Sequence, residues 1–216
     1  MEEVTGETYG GLKALCEVEV ASRLGDRVLI VRPGILVGPG DPTGRFTYWC
    51  RRIARGGAVL APGPATLDVQ YLDARDLADW IVPLATDGAT GVYNAAGPGH
   101  PLPMRGFLEG LCDGVGRGAH LEWVGEEFLL AEGVEPWTDL PLWLPRSVGS
   151  ITANNSRAVA AGLRFRPLAG TAVDTLRWAA QQPDPGDGPP GLTPAREAEL
   201  LARYAERADA AGASGG

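Results

Sequence analysis

The chain has 216 residues, of which 44% are hydrophobic, and a formal net charge of −8. This length and composition are typical of a folded domain with a hydrophobic core, and the acidic balance argues against nucleic acid or an anionic membrane as a partner. No stretch approaches the ~20 consecutive apolar residues of a membrane-spanning helix, and the acidic first residues lack the apolar run of a secretory signal.

The cysteines and histidines show no framework of their own. Cys16, Cys50 and Cys112 are odd in number and widely spaced, which predicts buried free thiols in a reducing cytoplasm. His100 and His120 are far from any Cys, Asp or Glu with metal-ligand spacing. We therefore expect a cytoplasmic protein without a metal site.

The first predicted element is a helix from Tyr9 to about Leu24, with apolar residues near the helical period and Gly25 as its stop. Tyr9 and Lys13 stand four positions apart, and residues at that spacing share one helix face. An ammonium group one turn from a phenol stabilises the phenolate and favours proton transfer near neutral pH. On its own, the spacing more often describes a surface Lys beside a half-buried Tyr.

A β-branched run follows at 27–32, and its lack of alternation predicts a strand buried on both faces of a parallel sheet. Residues 35–42 are rich in Gly and Pro and predict a loop at the strand's carboxyl end, where ligands bind in open parallel sheets. The other predicted elements are helices near 43–55, 73–84, 104–115, 126–132, 157–161 and 170–180, and strands at 58–61, 69–72, 91–95 and 120–124.

The last part of the chain contains two irregular stretches. Residues 136–145 are dense in Trp and Pro, which predicts a loop that either covers a core or lines a pocket. Residues 182–192 are rich in Pro, Gly and Asp and predict a linker. A terminal helix is predicted over 193–209, with Pro194 at its first position, and the small residues of 210–216 predict a frayed tail.

Four motifs stand in order along the chain: YGGLK at 9–13, RPGILVGPGDP at 32–42, VQYLDARDLA at 69–78 and GVYN at 91–94. Together they resemble the carboxyl-terminal portion of the extended short-chain dehydrogenase/reductases, the NAD-dependent epimerase/dehydratase family. The resemblance implies an α/β fold in which an incomplete doubly wound, Rossmann-like parallel sheet is interleaved, over residues 1–181, with a smaller mixed α/β substrate lobe.

The resemblance also implies roles for particular residues. Tyr9 would be the general acid/base on the substrate oxygen during hydride transfer. Lys13 would activate Tyr9 and hydrogen-bond the nicotinamide ribose. The backbone around Pro33, Gly34 and Ile35 would meet the nicotinamide carboxamide, so NAD or NADP is the implied cofactor.

The substrate side is less defined by the motifs. Arg45, Trp49 and Gln70 are assigned to it on position alone, and the aromatic side chain of Trp49 fits packing between lobes equally well. Relatives that act on nucleotide sugars place an Arg where this chain has Val69. The implied substrate is therefore a small, less charged alcohol or carbonyl compound. Dimerisation through the helix that carries Tyr9 is a further expectation from the resemblance.

The family's amino-terminal half has no counterpart in this sequence. No G-x-x-G-x-x-G follows a predicted strand, and that loop is what holds the pyrophosphate. The family's catalytic Ser or Thr stands well ahead of the Tyr and would fall before Met1 here. We therefore expect a truncated gene or a split subunit that requires its missing half and is inactive alone. The alternative is a non-catalytic remnant that acts as a binding module.

Overall fold

The computed structural model describes residues 5, 8–149, 152–183 and 190–213. Within them, the helices are α1 (Tyr9–Leu24), α2 (Arg45–Ala54), α3 (Ala74–Thr86), α4 (Met104–Val115), α5 (Glu126–Ala131), α6 (Ser156–Ala160), α7 (Leu168–Ala179) and α8 (Pro194–Ala213). The strands are β1 (Leu29–Pro33), β2 (Leu36–Val37), β3 (Gly57–Pro62), β4 (Leu72–Asp73), β5 (Gly91–Ala95) and β6 (Ala119–Val124).

The strands pair in parallel: β1 with β5, β2 with β4 and β3 with β6. The β1–β5 pair runs from Leu29 opposite Gly91 to Pro33 opposite Ala95. Helices separate most of these strands along the chain, as the crossovers between parallel strands require. The predicted α/β fold with an incomplete parallel sheet is confirmed.

Local patterns predicted most element bounds closely. The helices α1 and α4 and the strand β5 begin and end at the predicted residues. The helix predicted from Thr43 begins instead at Arg45, because Gly44 has a φ of 67°, a left-handed conformation that ends the preceding turn. The helix α7 begins at Leu168, earlier than predicted, with Pro167 immediately before it.

Three predictions about β1 and the strands near it were wrong. The strand is half-buried at Leu29–Val31 and exposed beyond, so it is not buried on both faces. Leu29 and Val31 pack against the cluster that contains Trp80 and Tyr93, whereas α1 has no buried residue and does not seal a face of the strand. The predicted loop at 35–42 contains β2, which pairs with β4. The strand predicted at 69–72 is reduced to β4, since the backbone of Tyr71 bridges instead to Gly97.

The main core lies among α2, α4, β3 and the loop at 136–145. Its largest fully buried side chains include Trp49, Phe107 and Trp143. The indole N–H of Trp143 donates to the Gly63 carbonyl at 3.1 Å. The Trp- and Pro-rich loop therefore covers the core at Trp143, one of the two roles predicted for it.

A second core lies between the β1–β5 pair and the helices α3 and α6. It contains Trp80 and Tyr93, whose rings meet edge to face at 5.8 Å. By contrast, α1 has no buried residue, and its apolar side chains Leu15 and Val18 are 61% and 65% exposed. The apolar side of α1 is thus not buried against any other element within the described residues.

The terminal helix α8 is part of the main core. Leu200 is fully buried, and Tyr204 packs edge to face on Phe128 at 5.0 Å. Of the predicted linker, 184–189 lie outside the described residues, whereas Leu192 is buried in the core. Residues 210–213 of the predicted tail continue α8, and 214–216 lie outside the described residues.

Candidate functional site

Tyr9 and Lys13 lie at the start of α1, and their side chains are exposed to solvent. Tyr9 is the first residue of the helix and is 56% exposed, and Lys13 is also exposed. Glu17 follows at the same spacing, so the three side chains line one face of α1. Lys13 is the only lysine in the chain, and the other 18 basic residues are arginine. The one lysine side chain of the sequence, with its compact ammonium group, is therefore one helical turn from Tyr9.

This face of α1 is tied to the carboxyl end of β1 by an ion pair. The Glu17 carboxylate accepts two hydrogen bonds from Arg32, from Nε at 2.8 Å and from a terminal amino group at 2.5 Å. The Arg32 hydrogen bonds hold the pKa of Glu17 below its usual range, with a smaller contribution from Lys13. The same pairing raises the pKa of Arg32. A bidentate pair of this kind fixes orientation as well as distance.

The backbone directly after Arg32 is held between neighbouring strands. The Gly34 N–H donates to the Ala95 carbonyl at 2.9 Å, and the Ile35 carbonyl accepts from the Leu72 N–H at 2.8 Å. A Cβ at Gly34 would lie 3.1 Å from the Ala96 Cβ, so Gly is needed for this close approach. Pro33 is exposed at the carboxyl end of β1. The backbone at Gly34 and Ile35 is therefore bonded to strands on two sides, and Pro33 is the exposed residue at this end of β1.

The three residues assigned to the substrate side are placed differently from one another. Trp49 is fully buried, and its indole N–H donates to the Pro141 carbonyl at 2.6 Å. Gln70 is half-buried and exchanges two hydrogen bonds with the Ala153 backbone, at 2.7 and 3.0 Å. Core packing accounts for Trp49, and hydrogen bonds to the backbone account for Gln70, without a substrate. Arg45, in contrast, lies partly open at the start of α2.

Two cavities lie near the segment that contains Asp68 and Gln70. One of about 190 Å³ is lined by Gln70, His100 and Asn155, among others. A second cavity, of about 480 Å³, is lined by Leu142 of the Trp- and Pro-rich loop and by Arg146, which directly follows that loop. Asp68 lines both cavities, so they adjoin there. A third, of about 790 Å³, lies between α2, the end of α7 and 190–194.

A buried ionic network, which local sequence patterns did not predict, supports the β4–α3 junction. Asp73 accepts from Arg75 and from the Thr171 hydroxyl, the latter at 2.8 Å. Arg166 binds Asp76 at 2.6 Å and lies 3.8 Å from Asp73. Only the Asp at the helix start was visible in the sequence, because Arg166 and Thr171 come from 90 or more positions later in the chain.

The described residues contain neither a metal-type cluster nor a membrane-length helix. No group of three His, Cys, Asp or Glu side chains among them comes together as a metal would require. In the same part of the chain, no helix is long and apolar enough to cross a membrane. The thiols are free, but Cys16 is exposed on α1, which corrects the expectation that all three cysteines are buried.

No protein-family profile and no curated protein matches this sequence. Its fold, however, matches solved structures. The structure of RMD from Pseudomonas aeruginosa with NADPH is 20% identical, with a TM-score of 0.52 over 76% of this chain and 52% of that one. The Thermus thermophilus UDP-glucose 4-epimerase with NAD is 18% identical, with a TM-score of 0.53 over 84% of this chain and 59% of that one.

A third similar structure is TunA, an NAD-dependent NDP-hexosamine 5,6-dehydratase of tunicamycin biosynthesis. It is 17% identical, with a TM-score of 0.57 over 82% of this chain and 53% of that one. The chain shares its fold with the matched parts of these solved structures. It spans about half the length of these solved chains. The similarity agrees with the motif resemblance and, at this identity, concerns the fold.

Proposed function

We propose that this chain supplies the catalytic Tyr–Lys pair and the substrate lobe of an NAD(P)-dependent oxidoreductase of the reductase, epimerase or dehydratase type. Tyr9 gives a proton to, or takes one from, the oxygen of an alcohol or carbonyl substrate. Lys13 stabilises the phenolate form of that side chain by its charge. The positions of both residues match the YGGLK motif of the resemblance.

The observation that carries this proposal is the tether between α1 and β1. Because Glu17 shares a helix face with Tyr9 and Lys13, its bond to Arg32 points that face toward the carboxyl end of β1. Open parallel sheets bind their ligands at this end of the strands. The single lysine of an otherwise arginine-rich chain stands on the same face, which suits a role that needs a compact ammonium.

The residues present fit one end of a dinucleotide. Lys13 would hydrogen-bond the nicotinamide ribose, and the backbone around Pro33, Gly34 and Ile35 would meet the carboxamide. NAD(P), when bound, supplies or accepts the hydride. The chain's own part is to orient the ring and to move the proton at the Tyr9 hydroxyl.

The phosphate end requires a second structural unit. The sequence has no G-x-x-G-x-x-G loop after a strand, and both the apolar side of α1 and one edge of β1 lack partners within the described residues. An amino-terminal nucleotide-binding half, on the same or a separate polypeptide, would cover these surfaces and bind the pyrophosphate. The 216-residue chain alone then binds NAD(P) weakly or not at all and is inactive. A homodimer through α1 would cover part of the same surface.

The test is hydride transfer by the protein in its cellular form, recovered by a carboxyl-terminal tag with any polypeptide that completes it. Tyr9→Phe is expected to lower NAD(P)H oxidation with aldehyde and ketone substrates by about 100-fold or more, because general acid catalysis is lost. Tyr204→Phe removes a hydroxyl from α8 and is the matched control. Equal rates in the wild type and Tyr9→Phe would contradict the proposal and favour a non-catalytic binding module.

A further inference from the structure

Arg45 carries an unpaired buried donor. Among the described residues, its Nε is the one buried side-chain nitrogen or oxygen that has no hydrogen-bond partner. No described acidic side chain lies within ion-pair distance of its guanidinium group. Buried polar groups in folded proteins nearly always pair, and an unpaired charged donor is costly. A group left in this state therefore calls for a ligand or another physical reason.

The guanidinium group of Arg45 lies against an aromatic ring that the backbone holds in place. Its central carbon is 5.4 Å from the centre of the Trp137 ring, within cation–π distance. Trp137 has a φ of 70°, a conformation that residues other than Gly rarely adopt. Its N–H donates at 3.2 Å to the carbonyl of the fully buried Trp143. Strained residues of this kind cluster at ligand sites.

The start of α2 is not built to bind a phosphate. Asp41 accepts hydrogen bonds from the N–H groups of Thr43, Phe46 and Thr47, at 3.0 to 3.2 Å. The backbone donors that a phosphate would use at a helix start are therefore occupied by a carboxylate of the chain itself. The negative charge of Asp41 also disfavours a dianion near Arg45.

We propose that Arg45, backed by Trp137, binds a carboxylate group of the substrate. A carboxylate carries one charge and presents two oxygens in the plane that a guanidinium group recognises. Arg45 follows the loop that leaves the carboxyl end of β2, where ligands gather in parallel sheets. This inference rests on the proposed function, since it gives the substrate of that site as a hydroxy or oxo compound that carries a carboxylate.

The experiment measures the thermal midpoint of the 216-residue chain against increasing benzoate, with benzamide, inorganic phosphate and chloride at equal ionic strength as comparisons. A ligand that binds only the folded state raises the midpoint in a saturable way. Benzoate is expected to do so, and benzamide and chloride are not. Arg45→Gln is expected to weaken the benzoate response at least about tenfold, the effect of losing a charged hydrogen bond.

The chain offers a matched control in Arg105, whose guanidinium group lies 5.0 Å from the Trp123 ring but is already paired with Glu109. Arg105→Gln should leave the benzoate response unchanged. Arg45→Lys, which keeps the charge and loses the planar fork, serves if Arg45→Gln does not fold and should also weaken the response.

Three results would overturn the proposal: no saturable benzoate effect, an equal effect in Arg45→Gln, or stronger stabilisation by phosphate than by benzoate. Tyr9→Phe is expected to keep the full benzoate response. A failure of the oxidoreductase proposal can therefore be told apart from a failure of the carboxylate site, because the binding measurement needs neither NAD(P) nor turnover.

Discussion

Asp73 combines burial with four hydrogen bonds, three from Arg75 and one from the Thr171 hydroxyl. Burial alone would raise its pKa, but the bonds from Arg75 and Thr171 outweigh burial and hold the pKa below the usual range. The ionised carboxylate is therefore the form that supports the junction of β4 and α3.

We predict that Asp73→Asn lowers the free energy of unfolding at pH 7 by about 2 to 4 kcal/mol, since the amide NH₂ that replaces one buried carboxylate oxygen cannot accept the hydrogen bonds from Arg75 and Thr171. Because the folded pKa is lowered, this stabilisation is present above the unfolded pKa of about 3.9 and is lost as pH falls through the lower folded value. Urea unfolding at neutral and acid pH measures both effects. Asp79 also pairs with Arg166, but its side chain is 78% exposed. Asp79→Asn is therefore the control and should change the free energy of unfolding little.

Glu17 is a positioning residue in this account, acting through Arg32 on the Tyr9 face. We predict that Glu17→Gln lowers hydride transfer by about tenfold, because small misplacements of a reacting group are costly, while the thermal midpoint hardly changes. The tether is present above the usual pKa of Glu and is lost as pH falls through the lowered folded pKa. Glu19→Gln, on the same helix but paired only with Arg23, is the control. A rate equal to wild type in Glu17→Gln would contradict the role.

The strand β3 is sealed along one edge by the terminal helix. Glu197 of α8 accepts from the Leu60 N–H at 3.0 Å and pairs with the buried Arg52, which in turn donates to the Ala58 carbonyl. Side chains thus satisfy backbone groups that would otherwise be an open, aggregation-prone edge. This makes α8 a structural part of the main core.

We predict that Glu197→Gln destabilises the chain by about 3 to 5 kcal/mol, because Arg52 is left as an unpaired buried charge. Urea unfolding gives the value, and light scattering should show increased association through the uncovered edge. Glu199→Gln, at an exposed position two residues after Glu197 in α8, should leave the midpoint of urea unfolding nearly unchanged. Unchanged stability in Glu197→Gln would remove the sealing role.

Sequence periodicity was sufficient for elements whose bounds depend on local signals, such as α1 with Gly25 after it and β5 between its turns. The pairing of β2 with β4 was not predictable, because two-residue strands carry no period and depend on a partner 36 positions away. The buried role of Trp49 and the backbone pairing of Gln70 likewise depend on residues brought together only by folding. The Tyr9 motif was found because its chemistry lies within one helical turn.

The whole molecule leaves its apolar α1 surface without a partner within the described residues, in agreement with the proposal that another unit covers it. We predict that Leu15→Ser with Val18→Ser leaves the thermal midpoint of the 216-residue chain unchanged, since both side chains are already in water. In the completed assembly the same change should lower the midpoint and weaken association. Val82→Ser, at a 63% exposed position on α3, is the control.

The most direct measurement uses Lys13 as the only lysine of the chain. Reductive methylation of the 216-residue chain with isotope-labelled formaldehyde, before the nucleotide-binding half is added, labels Lys13 and the α-amino group of Met1 for nuclear magnetic resonance and keeps their charges. The Lys13 signal is the one that Lys13→Arg removes. In the assembly with its nucleotide-binding half, we predict that this signal shifts and saturates at the NAD(P)H concentration at which nicotinamide fluorescence saturates. Cofactor binding that leaves the Lys13 signal unmoved would contradict the central claim.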